Sequence, residues 1–176
     1  MSNDLKESRS EAGKRLLQIT QAALIAAMYV ALTFVFQPIS FGAIQVRIAE
    51  TLTILPLFTT AAVPGLFVGC LLGNILGGAM LPDILLGSLA TLLGAVGTRF
   101  LRKRFFVLAT IPPILSNTLI IPFILKYAYG LEMSIPFLML TIFVGEFLSC
   151  GVLGSLLALA LKKRPQIFNS ESREKK

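Results

Sequence analysis

Long apolar segments, interrupted by short polar stretches, fill the chain from Leu16 to Leu161. Several of these segments approach 20 residues with almost no charge, and about 20 apolar residues are enough for an α-helix to cross a bilayer. Proline, glycine and charged residues mark the ends of the segments. The pattern therefore predicts six transmembrane helices, at 16–36, 44–60, 63–80, 84–101, 105–126 and 136–161.

The composition indicates an all-α membrane protein. Hydrophobic residues make up 55% of the 176 and charged residues only 14%, whereas about 25% of a soluble domain is charged. We expect one six-helix transmembrane domain at 16–161, between an N-terminal tail at 1–15 and a basic C-terminal tail at 162–176. No small-residue cleavage site follows the first apolar segment, so we do not expect it to be removed as a signal peptide.

The distribution of charge predicts the orientation of the helices. The net charge is +7, and the basic residues concentrate in the two tails and in the segment 99–104. Short segments rich in Lys and Arg face the cytoplasm, so we expect both termini to be cytoplasmic, with four spans before 99–104 and two after it. The basic excess therefore indicates topology and contact with the lipid bilayer, and we expect no nucleic-acid partner.

A small set of polar residues lies inside the predicted spans or at their outer ends. A charged side chain at the bilayer centre costs about 2.5–3.5 kcal/mol on insertion scales, so such residues usually face a cavity or a partner. Glu146 is the hardest to explain without a ligand, because no basic residue lies near it in the sequence. We hypothesise that the set lines one outward-facing pocket for a flat, polar, neutral or cationic heterocycle. The candidates are Gln45, Arg47, Glu50, Asn74, Asp83, Asn117 and Glu146.

Several of these candidates also have a purely structural interpretation. Arg47 and Glu50 are three residues apart on one helix face and could form an intrahelical ion pair. Asn74 and Asn117 could join helices by hydrogen bonds alone. Asp83 directly precedes the fourth predicted helix and could cap it.

Small residues line one face of the first predicted helix. Ala23 and Ala27 lie four residues apart, a spacing that lets a second helix approach closely. This row marks either a partner interface or packing against the protein's own helices.

The chain lacks the residues for several kinds of chemistry. It contains no His, which excludes HExxH metal motifs and Ser-His-Asp triads, and it has no GxxxxGK[ST] phosphate-binding loop. Cys70 and Cys150 lie within apolar segments at a spacing that fits no metal site, so we interpret both as small buried hydrophobes. We therefore expect no enzyme activity, no cofactor and no bound metal.

Several motifs in the chain resemble those of a known family. They are Phe41–Glu50 (FGAIQVRIAE), Leu55–Phe58 (LPLF), Pro64–Cys70 (PGLFVGC), the segment from Asn74 to Gly78, Asp83, and Gly87–Leu92 (GSLATL). Together they resemble the QueT family of queuosine-precursor transporters. The resemblance extends from Ala22 to Leu161 and is densest from Phe41 to Leu92.

This resemblance implies the substrate-binding (S) component of an energy-coupling factor (ECF) transporter. Such a subunit is a six-helix bundle in the bacterial plasma membrane that binds a nutrient from outside. It works with an ECF transmembrane coupling subunit and two cytoplasmic ATPase subunits. The implied ligand is a 7-deazaguanine such as 7-aminomethyl-7-deazaguanine, and Ala23 and Ala27 match the AxxxA pattern that S components use against the coupling subunit.

For such a ligand we hypothesise a division of roles among the candidates. Either Glu50 or Glu146 accepts hydrogen bonds from the ring N–H and the exocyclic amine, while the other carboxylate faces the aminomethyl cation. The amide side chains bind the remaining ring atoms, and Arg47 contacts the ring carbonyl or holds Glu50 in place. An S component for another vitamin-like nutrient and a self-sufficient small-molecule membrane carrier remain the alternatives.

Overall fold

The computed structural model describes residues 2–40, 45–103 and 107–163, with side chains from residue 11 onward. Every regular element in these ranges is helical, as the sequence predicted. The α-helices are α1 (Ser2–Val35), α2 (Gln37–Ser40), α3 (Ala62–Leu76), α4 (Ser88–Phe100), α5 (Ile111–Tyr127), α6 (Ile135–Glu146) and α7 (Gly154–Lys162). Between them lie the 3₁₀ helices Ile48–Leu57, Leu101–Lys103 and Leu108–Thr110 and the π-helices Asp83–Gly87 and Phe147–Leu153.

Four continuous helical segments are long and apolar enough to cross a membrane. They are Glu11–Val35, Asp83–Lys103, Leu108–Tyr127 and Ile135–Lys162, and they correspond to the first, fourth, fifth and sixth predicted spans. The described chain is thus a helical bundle of the membrane class.

The second and third predicted spans are shorter than expected. The segment predicted at 44–60 contains the ten-residue 3₁₀ helix Ile48–Leu57, and the segment predicted at 63–80 is the fifteen-residue α3. At rises of about 2.0 and 1.5 Å per residue they extend about 20 and 22 Å, against about 30 Å of bilayer core. The prediction of a full-length α-helix at 44–60 was wrong, because apolar content alone does not specify helix type and Pro56 cannot donate a backbone hydrogen bond there.

Some of the predicted boundaries are not tested. The predicted starts at residues 44 and 105, and the C-terminal tail beyond residue 163, lie outside the described residues.

Glycines let α1 and α3 cross closely. Gly65, Gly69 and Gly73 recur every four residues on α3, the small-residue spacing of tightly packed membrane helices. A Cβ atom at Gly65 would lie 2.7 Å from the backbone oxygen of Ala22, and one at Gly69 would lie 2.7 Å from the Cβ of Tyr29. This contact sets Tyr29, which is only 2% exposed, against the interior of the bundle.

A second close contact joins α4 to α5. A Cβ atom at Gly94 would lie 2.7 Å from the Cα of Pro113, and one at Gly97 would overlap the ring of Pro112. The close approach brings α4 and α5 together in the part of the bundle where they carry Thr91 and Asn117, both fully buried.

The small residues on α1 divide between two faces. Ala26 is buried against α3, whereas Ala23, Ala27 and Ala31 are exposed. In the described structure, the row containing Ala23 and Ala27 is therefore not the face that packs most closely on α3.

Candidate functional site

All seven sequence-predicted site residues are buried, and none is more than 6% exposed. They come from distant parts of the chain, and most of them meet in two adjoining groups. The buried charged side chains of the described structure are three acids and one base: Glu50, Asp83, Glu146 and Arg47.

Glu50 anchors the first group. It lies in the first turn of the 3₁₀ helix Ile48–Leu57. Tyr29 of α1 donates a hydrogen bond to its Oε1, and the Thr91 hydroxyl of α4 donates to the same oxygen at 3.1 Å. The second oxygen, Oε2, is buried without a hydrogen-bond partner among the described residues.

Glu146 and Cys150 lie beside Glu50. The Cys150 thiol is 3.2 Å from Glu146 Oε2 and 3.4 Å from the backbone oxygen of Glu50. One donor atom from each of the three side chains lies within 4.8 Å of the others, so the three have the spacing to share one cation.

The amide of Asn117 completes this group. It lies close to the carboxylates of both Glu50 and Glu146. Neither its Nδ2 nor its Oδ1 makes a well-formed hydrogen bond to any described residue. A buried polar group without a partner is uncommon and costs about 1–3 kcal/mol. The Asn117 amide of α5 thus lies against two carboxylates that belong to other elements of the bundle.

Arg47 organises the second group. Its Nη2 donates to Asn74 Oδ1 at 3.0 Å and lies 3.8 Å from Asp83 Oδ2. Asn74 in turn donates from Nδ2 to the backbone oxygen of Asp83 at 3.3 Å. Asn74 therefore links α3 to the π-helix Asp83–Gly87, and Arg47 ties both to the segment before the 3₁₀ helix.

Tyr129 closes this second group from the loop between α5 and α6. Its hydroxyl donates to Asp83 Oδ2 at 3.0 Å and accepts from the backbone N–H of Met80 at 3.1 Å. Partial burial raises the pKa of Tyr129, and the charge of Asp83 adds to this shift. The suggestion that Asp83 caps a helix is wrong, because Asp83 is the first residue of the π-helix, Pro82 is its N-cap, and no side chain makes a capping hydrogen bond.

Gln45 lies next to α6. Its backbone oxygen packs so closely on Gly145 that a Cβ atom at Gly145 would overlap it. Glycine at this position therefore lets the segment carrying Gln45 and Arg47 reach the helix that carries Glu146.

Five side chains of the site were not predicted from the sequence, and one of them is Tyr129, which binds Asp83. Tyr29, Thr91 and Cys150 contact the two carboxylates, and the thiol of Cys70 accepts from Thr91 at 3.3 Å and from Asn74 at 3.6 Å. The interpretation of both cysteines as plain hydrophobes was wrong, since each thiol takes part in the polar network. The one signal in the sequence was Tyr29, because a buried tyrosine hydroxyl needs a hydrogen-bond partner.

Comparison with known proteins gives the same family as the motifs. The family model described as the QueT transporter matches residues 19–163. One curated relative, the "Queuosine precursor transporter QueT" of Lactococcus lactis subsp. cremoris (strain MG1363), is 34% identical over 76 residues, which cover 42% of this chain and 44% of the relative. The chain thus aligns with less than half of that relative's length. No solved structure matches the chain.

The family match extends over most of the chain and includes both groups of buried polar residues. It is a family of transporters, which confirms the prediction that the chain is not an enzyme. The chain belongs to the QueT transporter family.

Proposed function

We propose that the chain is the substrate-binding subunit of an ECF-type importer for a queuosine precursor, a 7-deazaguanine such as 7-aminomethyl-7-deazaguanine. The observation that carries the proposal is the buried cluster of Glu50, Glu146 and Asn117, in which Glu50 Oε2 and the Asn117 amide make no well-formed hydrogen bond to a described residue. Together with the transporter family, these atoms specify what a ligand has to offer.

The partnerless atoms correspond to the hydrogen-bonding edge of a guanine. Glu50 Oε2 and Asn117 Oδ1 are acceptors that can take donors from a ligand, and the Asn117 amide, which also lies against the Glu50 and Glu146 carboxylates, can donate to a ligand acceptor. A guanine base presents a ring N–H, an exocyclic amine and a carbonyl oxygen side by side, and a 7-deazaguanine keeps all three. We therefore assign the recognition of this edge to Glu50 and Asn117.

The second group supports this assignment by holding the walls of the site in place. Arg47, Asn74 and Asp83 are joined to one another, and Tyr129 adds the loop between α5 and α6. With both termini cytoplasmic, as the distribution of basic residues predicts, this loop lies at the outer face of the bacterial plasma membrane. The ligand then enters from outside and the loop closes over it.

Energy for import comes from partner subunits in this proposal. The sequence has no GxxxxGK[ST] phosphate-binding loop, so an ECF transmembrane coupling subunit and two cytoplasmic ATPase subunits supply the driving force. Ala23 and Ala27 on α1 are exposed, and Ala23 lines an apolar groove of about 600 Å³ beside α3. We assign the contact with the coupling subunit to this face of α1.

Calorimetric titration of the detergent-purified full chain tests the proposal. We expect 7-aminomethyl-7-deazaguanine to bind, guanine to bind more weakly, and riboflavin not to bind. Glu50→Gln should weaken deazaguanine binding at least about 30-fold, because it replaces a charge-assisted acceptor with an amide that also presents donors. Tight binding of riboflavin without binding of a deazaguanine would indicate an S component for another nutrient. Uptake by the purified chain alone in liposomes would indicate a self-sufficient carrier.

A further inference from the structure

An apolar groove lies on the outside of the bundle, between α5 and the π-helix Asp83–Gly87. It has a volume of about 510 Å³, and α5 forms one wall from Leu119 to Tyr127, while Pro82 and Leu86 form the other. Leu86 and Leu119 are 46% and 56% exposed, so the groove is open to the surroundings of the bundle. Along α5 it extends about 12 Å, against about 15 Å for one leaflet of the hydrocarbon core. The groove therefore extends through most of one leaflet.

The side chains that line the groove from α5 are large. They are Leu119, Ile120, Phe123, Ile124 and Tyr127. Membrane helices that pack on one another usually present small residues, which let the two backbones approach closely. The groove beside α1 has that character, because four alanines and a glycine line it. The groove along α5 does not, so its shape favours a flexible acyl chain over the helix of a second protein.

One end of the groove carries aromatic and basic groups. Phe123 and Tyr127 stack there with their ring centroids 6.5 Å apart, and Tyr127 is 74% exposed, as is typical of a tyrosine at a membrane–water interface. Lys126 follows Phe123 by three residues and therefore lies on the same side of α5. Its ammonium donates to the backbone oxygen of Met133 at 3.0 Å, and an ammonium has two further N–H groups to offer.

The position of Lys126 along the chain is unusual. Apart from the buried Arg47, the other bases beyond residue 16 lie at 99–104 and from 162 onward, on the side predicted to be cytoplasmic. Lys126 then lies at the outer surface, and its neighbour in the loop, the exposed Glu132, does not pair with it in the described structure. A lysine beside a membrane surface attracts the headgroups of anionic lipids, so the charge at this end of the groove is complementary to a lipid phosphate.

The two walls of the groove are joined at this end by a hydrogen bond. Pro82 and Ala128 line the groove and directly precede Asp83 and Tyr129 in the chain. The Tyr129 hydroxyl donates to Asp83 Oδ2 at 3.0 Å. An acyl chain that packs against both walls would therefore support this contact between the π-helix and the loop after α5.

We propose that the groove binds one acyl chain of an anionic phospholipid, whose phosphate accepts a hydrogen bond from Lys126, and that the bound lipid holds the loop between α5 and α6 against the π-helix Asp83–Gly87. With the predicted orientation, this lipid belongs to the outer leaflet. The inference goes beyond the proposed function, since it concerns the lipid around the bundle and not the transported ligand.

Two lipids with the same chains and different headgroups test the role of charge. The melting temperature of the detergent-purified full chain, without any deazaguanine, is measured with added dioleoylphosphatidylglycerol and with added dioleoylphosphatidylcholine. We expect the anionic lipid to raise it by about 3–6 °C more than the zwitterionic lipid, the shift for a ligand at about ten times its dissociation constant. Equal shifts, or no shift with either lipid, would overturn the inference and leave the proposed function intact.

A matched pair of lysine variants locates the headgroup. Lys126→Gln should remove at least half of the difference between the two lipids, because the amide retains donors and loses the charge. Lys163→Gln, at an exposed base on the opposite side of the bilayer, should retain the difference. If Lys126→Gln retains the full difference, or if the two variants lose it equally, the lipid charge does not act at Lys126 and the inference fails.

A second pair of variants locates the acyl chain. Leu119→Trp fills the groove and should reduce the shift produced by either lipid by at least half. Leu115→Trp is the control, because Leu115 lies one turn earlier on α5, is 50% exposed and does not line the groove. Equal shifts in these two variants would place the lipid elsewhere and overturn the inference. Light scattering of the same samples tests for a second copy of the chain, since a wild-type dimer that Leu119→Trp dissociates would assign the groove to that copy and overturn the inference as well.

Discussion

Asn117 is a fully buried amide in α5 that has no well-formed hydrogen bond to any described residue. We expect Asn117→Leu to abolish ligand binding and, at the same time, to raise the melting temperature of the ligand-free protein. Removal of a buried unsatisfied amide should gain about 1–3 kcal/mol, and each kcal/mol shifts the melting temperature by about 2–4 °C in a chain of this size. Thermal unfolding in detergent and calorimetry measure the two effects.

The matched control is Asn74→Leu. Asn74 is equally buried, but its amide accepts from Arg47 and donates to the Asp83 backbone. Its replacement leaves a buried guanidinium without that acceptor, so we expect a lower melting temperature. A fall in stability for both variants would indicate that Asn117 is a structural amide and would contradict its role in binding.

Tyr129 is a second residue whose role can be tested separately from the rest of the site. Tyr129→Phe removes one hydrogen bond to Asp83 and one from the Met80 N–H, and the loop should open more readily. Loss of a hydrogen bond to a charged group costs about 1.5–3 kcal/mol, so we expect ligand dissociation to accelerate at least about 10-fold in stopped-flow measurements. Tyr127→Phe is the control, because Tyr127 is 74% exposed in the same region.

The pH dependence of the hydrogen bond between Tyr129 and Asp83 follows from the direction in which the pKa of Tyr129 is shifted. Partial burial raises the pKa of Tyr129, so its phenol keeps its proton to a higher pH than a free tyrosine, which titrates near 10. The effect of Tyr129→Phe on dissociation should therefore be constant from about pH 6 to about pH 9. A contribution that disappears within this interval would show that Tyr129 acts in another way.

At the residue scale, the charged and amide side chains of the site could be predicted from the sequence, whereas the residues that contact them could not. Charged and amide groups stand out in an apolar chain, so Glu50, Asn117 and Glu146 could be selected by their residue type and position alone. Thr91 and Cys150 could not, because threonine and cysteine are ordinary residues of membrane helices. Their role appears only when the fold places them beside a carboxylate.

At the scale of single elements, each buried acid is associated with a helix that is not α-helical. Glu50 lies in a 3₁₀ helix, Asp83 begins one π-helix, and Glu146 directly precedes another. Interruptions of this kind are frequent at functional sites because they redirect side chains out of the regular α-helical register. The sequence could not predict them, since a segment that is apolar on all sides has no periodicity from which the helix type can be determined.

The crossing of α1 and α3 gives a test at this scale. We expect Gly69→Ala to lower the melting temperature, because the added Cβ would lie 2.7 Å from Tyr29 Cβ and 3.0 Å from Ala26 Cα. Overpacking of this kind costs about 1–3 kcal/mol, and the displaced Tyr29 should also weaken ligand binding through Glu50. Differential scanning fluorimetry and calorimetry measure both.

Gly13→Ala is the same chemical change at a position where no atom lies within 4 Å of the new Cβ. Since alanine favours a helix over glycine by about 1 kcal/mol, this variant should be neutral or slightly stabilised. A Gly69→Ala protein as stable as Gly13→Ala would mean that the two helices are not in close contact.

At the scale of the whole molecule, apolar content predicted the class of the fold better than the lengths of its helices. Four of the six predicted spans appear as helices that can cross a membrane. The other two are short, and one of them carries Glu50 and follows directly after Arg47. A short element can end within the bundle and bring the polar groups near its end to the interior. The apolar pattern could not predict these short elements, because a segment buried in protein is as apolar as a segment buried in lipid.

The proposed coupling to partner subunits involves the whole molecule, and it separates ligand binding from transport. We expect Ala23→Trp to reduce ATP-dependent uptake at least about 10-fold in cells or liposomes that contain the complete importer, with ligand affinity unchanged. Ala23 is exposed on α1, lines the groove beside α3, and does not contribute to the buried polar cluster. A large side chain there would keep two helices from approaching closely, which is what small residues at this spacing permit.

The control for this experiment is Leu115→Trp, which adds an indole at an exposed position of α5. A tryptophan at a purely lipid-facing position is tolerated, so Leu115→Trp should retain uptake, whereas Ala23→Trp and Ala27→Trp should both lose it and fail to co-purify with the coupling subunit. If the alanine variants transport normally, this face of α1 contacts only lipid, and the coupling subunit docks elsewhere on the bundle. If they lose ligand binding together with uptake, α1 transmits the change to Glu50 through Tyr29, and the effect is one of folding rather than of assembly.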